Sequence, residues 1–339
     1  MGWSAYNRIV SALLPVPRYP PLPVIAVLAC AALAAMTLAL TVGSVDIGIA
    51  TVWRALTGDL TDTEGTIVRE LRLPRAVAAF AVGGLLAVAG ALMQVLLRNP
   101  LADPYVLGLS GGAACGALAA LLLGAAFFTT PAAFVGAIVS TSLVFGLARD
   151  SGQRSSTRLL LTGVVIAAGW GAVIMLLLAI APDAQIRGML FWLIGDLSGS
   201  TGGSTALVAL IGVLVLAMPF ARDATLLSRG EVTAASLGVS VRVVSLGLHA
   251  LAAVATAVAV TVAGSVGFVG LVVPHAVRLV IGNDQRWLLP ASALAGGALL
   301  AFADMLARTI VAPAQLPVGV LTALAGVPLF LWLLRRTSA

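Results

Sequence analysis

The stretch RLPRAVAAFAVGGLLAVAGALMQVLLRNPLADPYVLGLSGGAACG, residues 72–116, decides the fold class. Two apolar runs flank a short polar corner, Arg98–Tyr105, with one cation, one anion, an Asn-Pro and an Asp-Pro. Proline lacks the amide a continuing helix needs and biases the residue before it away from helix, so the chain must leave helix here. Lipid does not tolerate such backbone in its interior, which places the corner where a span leaves the hydrocarbon. After it, Gly108, Gly112 and Gly116 recur every four residues. That stripe would let a neighbouring helix approach closely.

The rest of the 339-residue chain repeats the pattern. It is 60% hydrophobic and 9% charged, against roughly a quarter charged in a soluble domain. A span takes about 20 apolar residues, and such windows lie near 24–42, 76–97, 106–128, 131–148, 159–181, 204–221, 243–264, 267–282, 287–307 and 317–334. The expected fold is all-α: one polytopic domain over 1–339 with about ten transmembrane helices. No repeat of convincing period is present.

All 19 basic residues are arginine. A phosphate-binding P-loop needs its lysine, so an ATP site of that type is excluded and ATP-driven work would fall to a partner. With a cytoplasmic N-terminus, 13 arginines fall on the inner side and six on the outer. This asymmetry orients the chain with both termini cytoplasmic, and it explains the +6 charge better than nucleic-acid binding, since the arginines form no patch. Cys30 and Cys115 lie in apolar runs without metal-type spacing and read as small core residues.

Between the spans, the proline-rich leader ending at residue 23 reads as an extended cytoplasmic spacer. Residues 44–70 carry five acids and read as an outer cap with a short helix, while 181–203 has an apolar middle too short to span. The longest inner polar segment, RDATLLSRGEVTAASLGVSVR (222–242), has the composition of two short helices joined at Gly230. Ser228 with Glu231 three residues on is a box-like cap signal, and Gly238 would stop the second helix. From Ala263 to Arg286, Gly264, Gly267, Gly270 and Pro274 exclude an unbroken helix. His275 has no second ligand at metal spacing, so a structural hydrogen bond is expected there. No nucleophile–base pair or metal cluster suggests an enzyme. Mid-membrane ionisable residues of the kind that couple ions are essentially missing from the span interiors, which argues against a secondary transporter.

Residues 72–116, SSTRLLLTG (155–163), FWLIGDLSG (191–199), 222–242 and 263–334, which holds GFVGLVVPHAVR (267–278) and QLPVGVLTALAGVPLFLWLL (315–334), together resemble the permease subunits of type II ABC importers. That family imports iron-siderophores, haem and cobalamin. The resemblance implies the type II permease fold in the bacterial cytoplasmic membrane. It also implies a second permease subunit, identical or paralogous, two ATPase subunits that bind the ATP and magnesium, and an extracytoplasmic substrate-binding protein. No cofactor is expected on this chain, and its partners would include lipid but no nucleic acid. Transport would be by alternating access, with an iron-siderophore as first substrate and cobalamin or haem as alternatives.

By the same resemblance, Gly230, Glu231, Leu237 and Gly238 mark the ATPase-docking helix. Arg72, Arg75 and Arg308 would meet carboxylates of the binding protein at the outer face. There, an Asp304–Arg308 pair one helical turn apart is an equally simple reading. Ser156 and Thr157 would line the cytoplasmic gate, or else cap a helix. Gln315 stands where the family commonly has Glu, which removes a charge from that face.

Overall fold

The computed structural model describes residues 19–43, 45–58, 63–148, 156–200 and 202–337. Helix α1 (Pro21–Thr41) opens with Pro21 and Pro23 in its first turn, where the missing amides would have had no partner anyway. The last prolines of the leader are therefore helical and not extended, whereas residues 15–18 lie outside the described residues. The cap between the first two spans holds the short helix α2 (Ile49–Thr57). The second span is longer than the apolar window suggests. A helical turn at Thr63–Thr66 and a π-helical segment, Ile67–Arg72, run straight into α3 (Leu73–Leu96).

Helix α3 is the axle of the molecule. Ten of its 24 residues are Ala or Gly, and it is hydrophobic around almost its whole circumference. Such a helix must be surrounded by protein. Alanines and glycines on its faces let α8 (Gly203–Ala217), α11 (Val241–Ala263), α12 (Val269–Ile281) and α13 (Gln285–Thr309) pack around it, with α1 against α13. A second group, α4 (Leu109–Leu122), α5 (Thr129–Ala148) and α6 (Ser156–Ile180), leans on α11 through Leu109, Ala113, Ala133, Ala137, Ala257 and Val260. Helix α6 is almost bare, with Val165 and Met175 among its most exposed side chains.

Seven of the described helical segments are long and apolar enough to cross a membrane; α4, α12 and α14 (Val318–Thr337) are shorter apolar helices. Together they coincide with the ten expected windows. Thirteen residues of α12 reach only about 20 Å, short of the roughly 30 Å of hydrocarbon. The helices α7 (Asp183–Ile194), α9 (Ala221–Leu227) and α10 (Glu231–Ser236) do not span; the last two form the loop before α11. Cys115 is buried, but Cys30 is exposed on α1. The expectation of two core cysteines fails for Cys30 because α1 covers the bundle from one side and leaves its other face open.

Candidate functional site

At one end of the bundle, α9 and α10 meet at Gly230, whose φ of 121° turns the chain where a side chain would strain it. Gly238 closes α10 with φ 84°, its amide and that of Val239 returning to the carbonyls of Ala235 and Ala234. Helix α10 buries only Ala234. Glu231 projects from its first turn and pairs with Arg98 of the α3–α4 corner at 3.5 Å, both side chains being wet. Leu237 is half-buried against the core, whereas Val232 is 85% exposed. In the sequence, Val232 is marked only by being an apolar residue in the middle of a polar loop. Ser228 does not cap α10, contrary to the box-like spacing. Gly230 holds that position, and the Ser228 hydroxyl donates to the Thr225 carbonyl and accepts from Asn283 Nδ2 at 2.8 Å.

At the opposite end, Asp304 is fully buried. Its carboxylate accepts from Arg75 Nε and Nη2 at 2.9–3.0 Å and pairs with Arg308 Nε at 3.3 Å, one turn along α13. Arg75 also donates to Gln315 Oε1 at 2.7 Å, and Arg308 to the Ala39 carbonyl at 3.0 Å. The amide at 315 thus bonds the same guanidinium that a carboxylate there could reach. Arg72 differs from the other two. It is buried and donates to the carbonyls of Leu40, Thr41 and Val45, which ties the end of α1 to the π-helical segment. All three arginines line an open cavity with Glu70, Ser198 and Gln315. Arg72 and Arg75 sit within a continuous helical run and not at its end, because helix begins at Thr63.

Between the two ends, helix breaks at residues 264–268, whereas Gly270 and Pro274, expected to interrupt it, lie inside α12. Residues 264–268 are not helical, Gly264 and Phe268 take φ of 66° and 67°, and Tyr105 reaches in from the α3–α4 corner. Its hydroxyl donates to the Val266 carbonyl and accepts from the Val266 amide, both at 3.1 Å. The end of α7 joins the same knot through the Asp196 amide on the Ala263 carbonyl, and the Gly319 amide of α14 bonds the Gly195 carbonyl. Non-helical backbone inside the bundle is thereby hydrogen-bonded, as a membrane interior demands.

The FecCD transport family model matches residues 31–336. The chain belongs to the FecCD transport family. It is 43% identical over 304 residues to the hemin transport system permease protein HmuU of Yersinia pestis, covering 87% of this chain and 90% of that one. It is 44% identical over 279 residues to the cobalamin import system permease protein BtuC of Halobacterium salinarum (81% and 74%) and 37% over 313 residues to the iron(3+)-hydroxamate import system permease protein FhuB of Bacillus subtilis (88% and 79%). A solved inward-facing metal-chelate type ABC transporter superposes with a TM-score of 0.82 at 26% identity, over 93% of this chain and 99% of that one. The molecule is accordingly a permease subunit of an ABC importer, all-helical among the described residues and multi-pass.

Within this FecCD permease, Gly112 and Gly116 of α4 face α5, where a Cβ would lie 2.4 Å from the Gly136 carbonyl oxygen and 2.1 Å from that of Ala132. Gly108 instead faces α6, so the stripe serves two neighbours. Ser156 and Thr157 open α6, and their side chains lie outside the described residues. His275 is buried, and its Nδ1 has no partner among the described residues; the expected structural hydrogen bond is not made by that atom. No group of three or more His, Cys, Asp or Glu that could hold a metal occurs among the described residues.

Asp103, in the corner, accepts from the Tyr105 amide at 2.7 Å. Burial pushes its carboxyl up to about 6, the hydrogen bond opposing the shift. A carboxyl raised above its unfolded value of about 3.9 keeps a proton that the unfolded chain has lost, so stability falls as pH rises from about 4 through about 6. Asp103→Asn keeps an acceptor for Tyr105 and removes the ionisation. It should stabilise the protein at pH 8 by about 1–3 kcal/mol and change little at pH 4. Thermal melts of both proteins in detergent at the two pH values check this; equal gains at both would refute the assignment.

Proposed function

We propose that this FecCD permease carries an iron-siderophore complex inward across the cytoplasmic membrane by alternating access, driven by two ATPase subunits that grip the α9–α10 loop. The observation that carries the reading is α10 itself: a short helix fixed at both ends by glycines, buried only at Ala234, with Glu231 and Val232 presented outward. A helix so poorly packed within its own chain is suited to a cleft on another protein, and Gly230, Glu231, Leu237 and Gly238 shape it. ATP and magnesium stay on the ATPase, and this chain holds no cofactor.

The loop end is then cytoplasmic, with both termini on that side, and a second permease subunit completes the path. Ser156 and Thr157 would stand at its inner gate, where α6 begins. The cavity around Arg75, Arg308 and Gln315 is the proposed seat of the binding protein's carboxylates. Arg72 would act there indirectly by holding α1 and the π-helical segment in place. Contacts of this sort set on-rate and register and weaken with salt.

For substrate, FhuB supports the ferric hydroxamate, while the identity to HmuU favours haem as second reading. Reconstitution with the ATPase and binding protein should give ATP-dependent uptake of a radio-iron ferric hydroxamate in excess of haemin or cobalamin; uptake of haemin alone would transfer the assignment to haem. Glu231→Arg should abolish uptake and weaken ATPase capture in a membrane pull-down while the permease dimer persists. Unchanged capture would remove α10 as the docking helix.

A further inference from the structure

We infer that Thr225 and Asn283 form the contact through which movement of the α9–α10 loop enters the transmembrane bundle, acting as positioning residues for transport. The inference rests on the reading of that loop as the ATPase seat. Helix α13 begins at Gln285, and the first amides of a helix have no partner within it. Asp284 takes the Arg286 amide in the ordinary local way. The Gln285 amide is satisfied from outside, by the hydroxyl of Thr225 in α9 at 3.0 Å, 60 residues away in sequence. Thr225 is 4% exposed, and its hydroxyl also donates to the Ala221 carbonyl at 2.8 Å. Beside it, Asn283 Nδ2 donates to Ser228 Oγ, and Gln285 Nε2 bonds Asn283 Oδ1 at 3.2 Å. The start of α13 is thus capped by the loop that the ATPase would move.

The Arg98–Glu231 pair also ties this loop to the bundle, at 3.5 Å with both side chains about half exposed. Exposed pairs of this kind contribute little. A buried hydroxyl–amide contact cannot part without leaving a donor unsatisfied, so the two elements have reason to move together. Beyond the contact, α13 is pressed to α3 backbone to backbone: a Cβ on Gly83 would lie 2.2 Å from the Gly296 carbonyl oxygen. At its far end α13 holds Asp304, which grips Arg75 of α3. A displacement delivered at Thr225 therefore reaches the opposite end of the bundle through one helix of about 37 Å.

The test uses the full permease–ATPase complex in nanodiscs, with MgATP and vanadate as the only added ligands. Ile310, 58% exposed just beyond α13, is replaced by Cys and labelled with bimane in a Cys30→Ser background; Cys115 is buried. The nucleotide-dependent emission change should fall about fivefold or more in Thr225→Val and in Asn283→Ala, with ATP hydrolysis within about twofold of the parent, and Thr225→Ser should restore it. A merely structural role would lower Tm in these variants and leave the emission change intact. Full amplitude in both variants overturns the inference. Should Thr225→Val not fold, Asn283→Ala decides alone, because it leaves the buried hydroxyl in place. If no ATPase copurifies with the unsubstituted permease, the loop reading itself fails and takes this inference with it; a hydrolysing complex with unaltered emission change in the variants sinks only the Thr225–Asn283 contact.

Discussion

Asp304→Ala should destabilise the permease by about 3 kcal/mol or more, a larger loss than removal of either arginine that it holds. Asp304 is fully buried and is the anion shared by two guanidinium groups whose side chains are only 10–11% exposed. Removing one arginine leaves the carboxylate paired with the other. Removing the carboxylate leaves two like charges facing each other in a site with little water. Gln315 and the Ala39 carbonyl keep one hydrogen bond on each arginine, which holds the loss near the lower end of the usual range of about 3–5 kcal/mol. Because the cluster is buried, the effect should change little with added salt. Thermal melts of Asp304→Ala, Arg75→Ala and the double variant in detergent measure it, and the double variant should lie closer to the wild type than the two single losses added together. A single Asp304→Ala variant with wild-type Tm would show that the carboxylate does not hold the two helices together.

How far the sequence could be read depended on whether the deciding signal was local. The ten apolar windows, the two short helices at Gly230, and the interruption between Ala263 and Val269 all follow from composition and glycine placement within one segment. The fate of the arginines does not. Arg72, Arg75 and Arg308 look alike as cations near the ends of apolar runs, yet Arg72 spends its guanidinium on carbonyls 27–32 residues earlier, and Arg75 finds its anion 229 residues later. Only the Asp304–Arg308 pair was visible from spacing alone. Ser228 shows the same limit in reverse. Its spacing to Glu231 was a sound local signal, but Asn283 from a distant corner competed for the hydroxyl. Cys30 is exposed where a core position is expected, because hydrophobicity cannot distinguish a core from a lipid-facing surface when both are apolar.

Gly90→Ala should prevent recovery of a folded, monodisperse protein, although it adds a single methyl group to a helix. A Cβ on Gly90 would sit 1.8 Å from the Gly270 carbonyl oxygen and under 3 Å from that residue's carbonyl carbon and Cα. All three atoms are backbone, so no rotamer change relieves the clash, and α3 and α12 must separate. Separation is costly here, because Gly270 is itself wedged against the Pro104 ring and the Leu86 carbonyl. The usual overpacking cost of about 1–3 kcal/mol is therefore a lower limit. Two other glycines calibrate the experiment. In Gly84→Ala the methyl meets the tip of the Leu210 side chain at 2.7 Å, which can rotate away, so a modest loss is expected. Gly212 in α8 has nothing within 4 Å, and Gly212→Ala should be neutral or stabilise by up to about 1 kcal/mol through helix propensity. Fluorescence-detected size exclusion with melting of the survivors should rank the variants as position 212, then 84, then 90. A Gly90→Ala protein as stable as Gly212→Ala would mean that α3 and α12 do not meet backbone to backbone, and the placement of the broken segment at 264–268 against α3 would have to be redrawn.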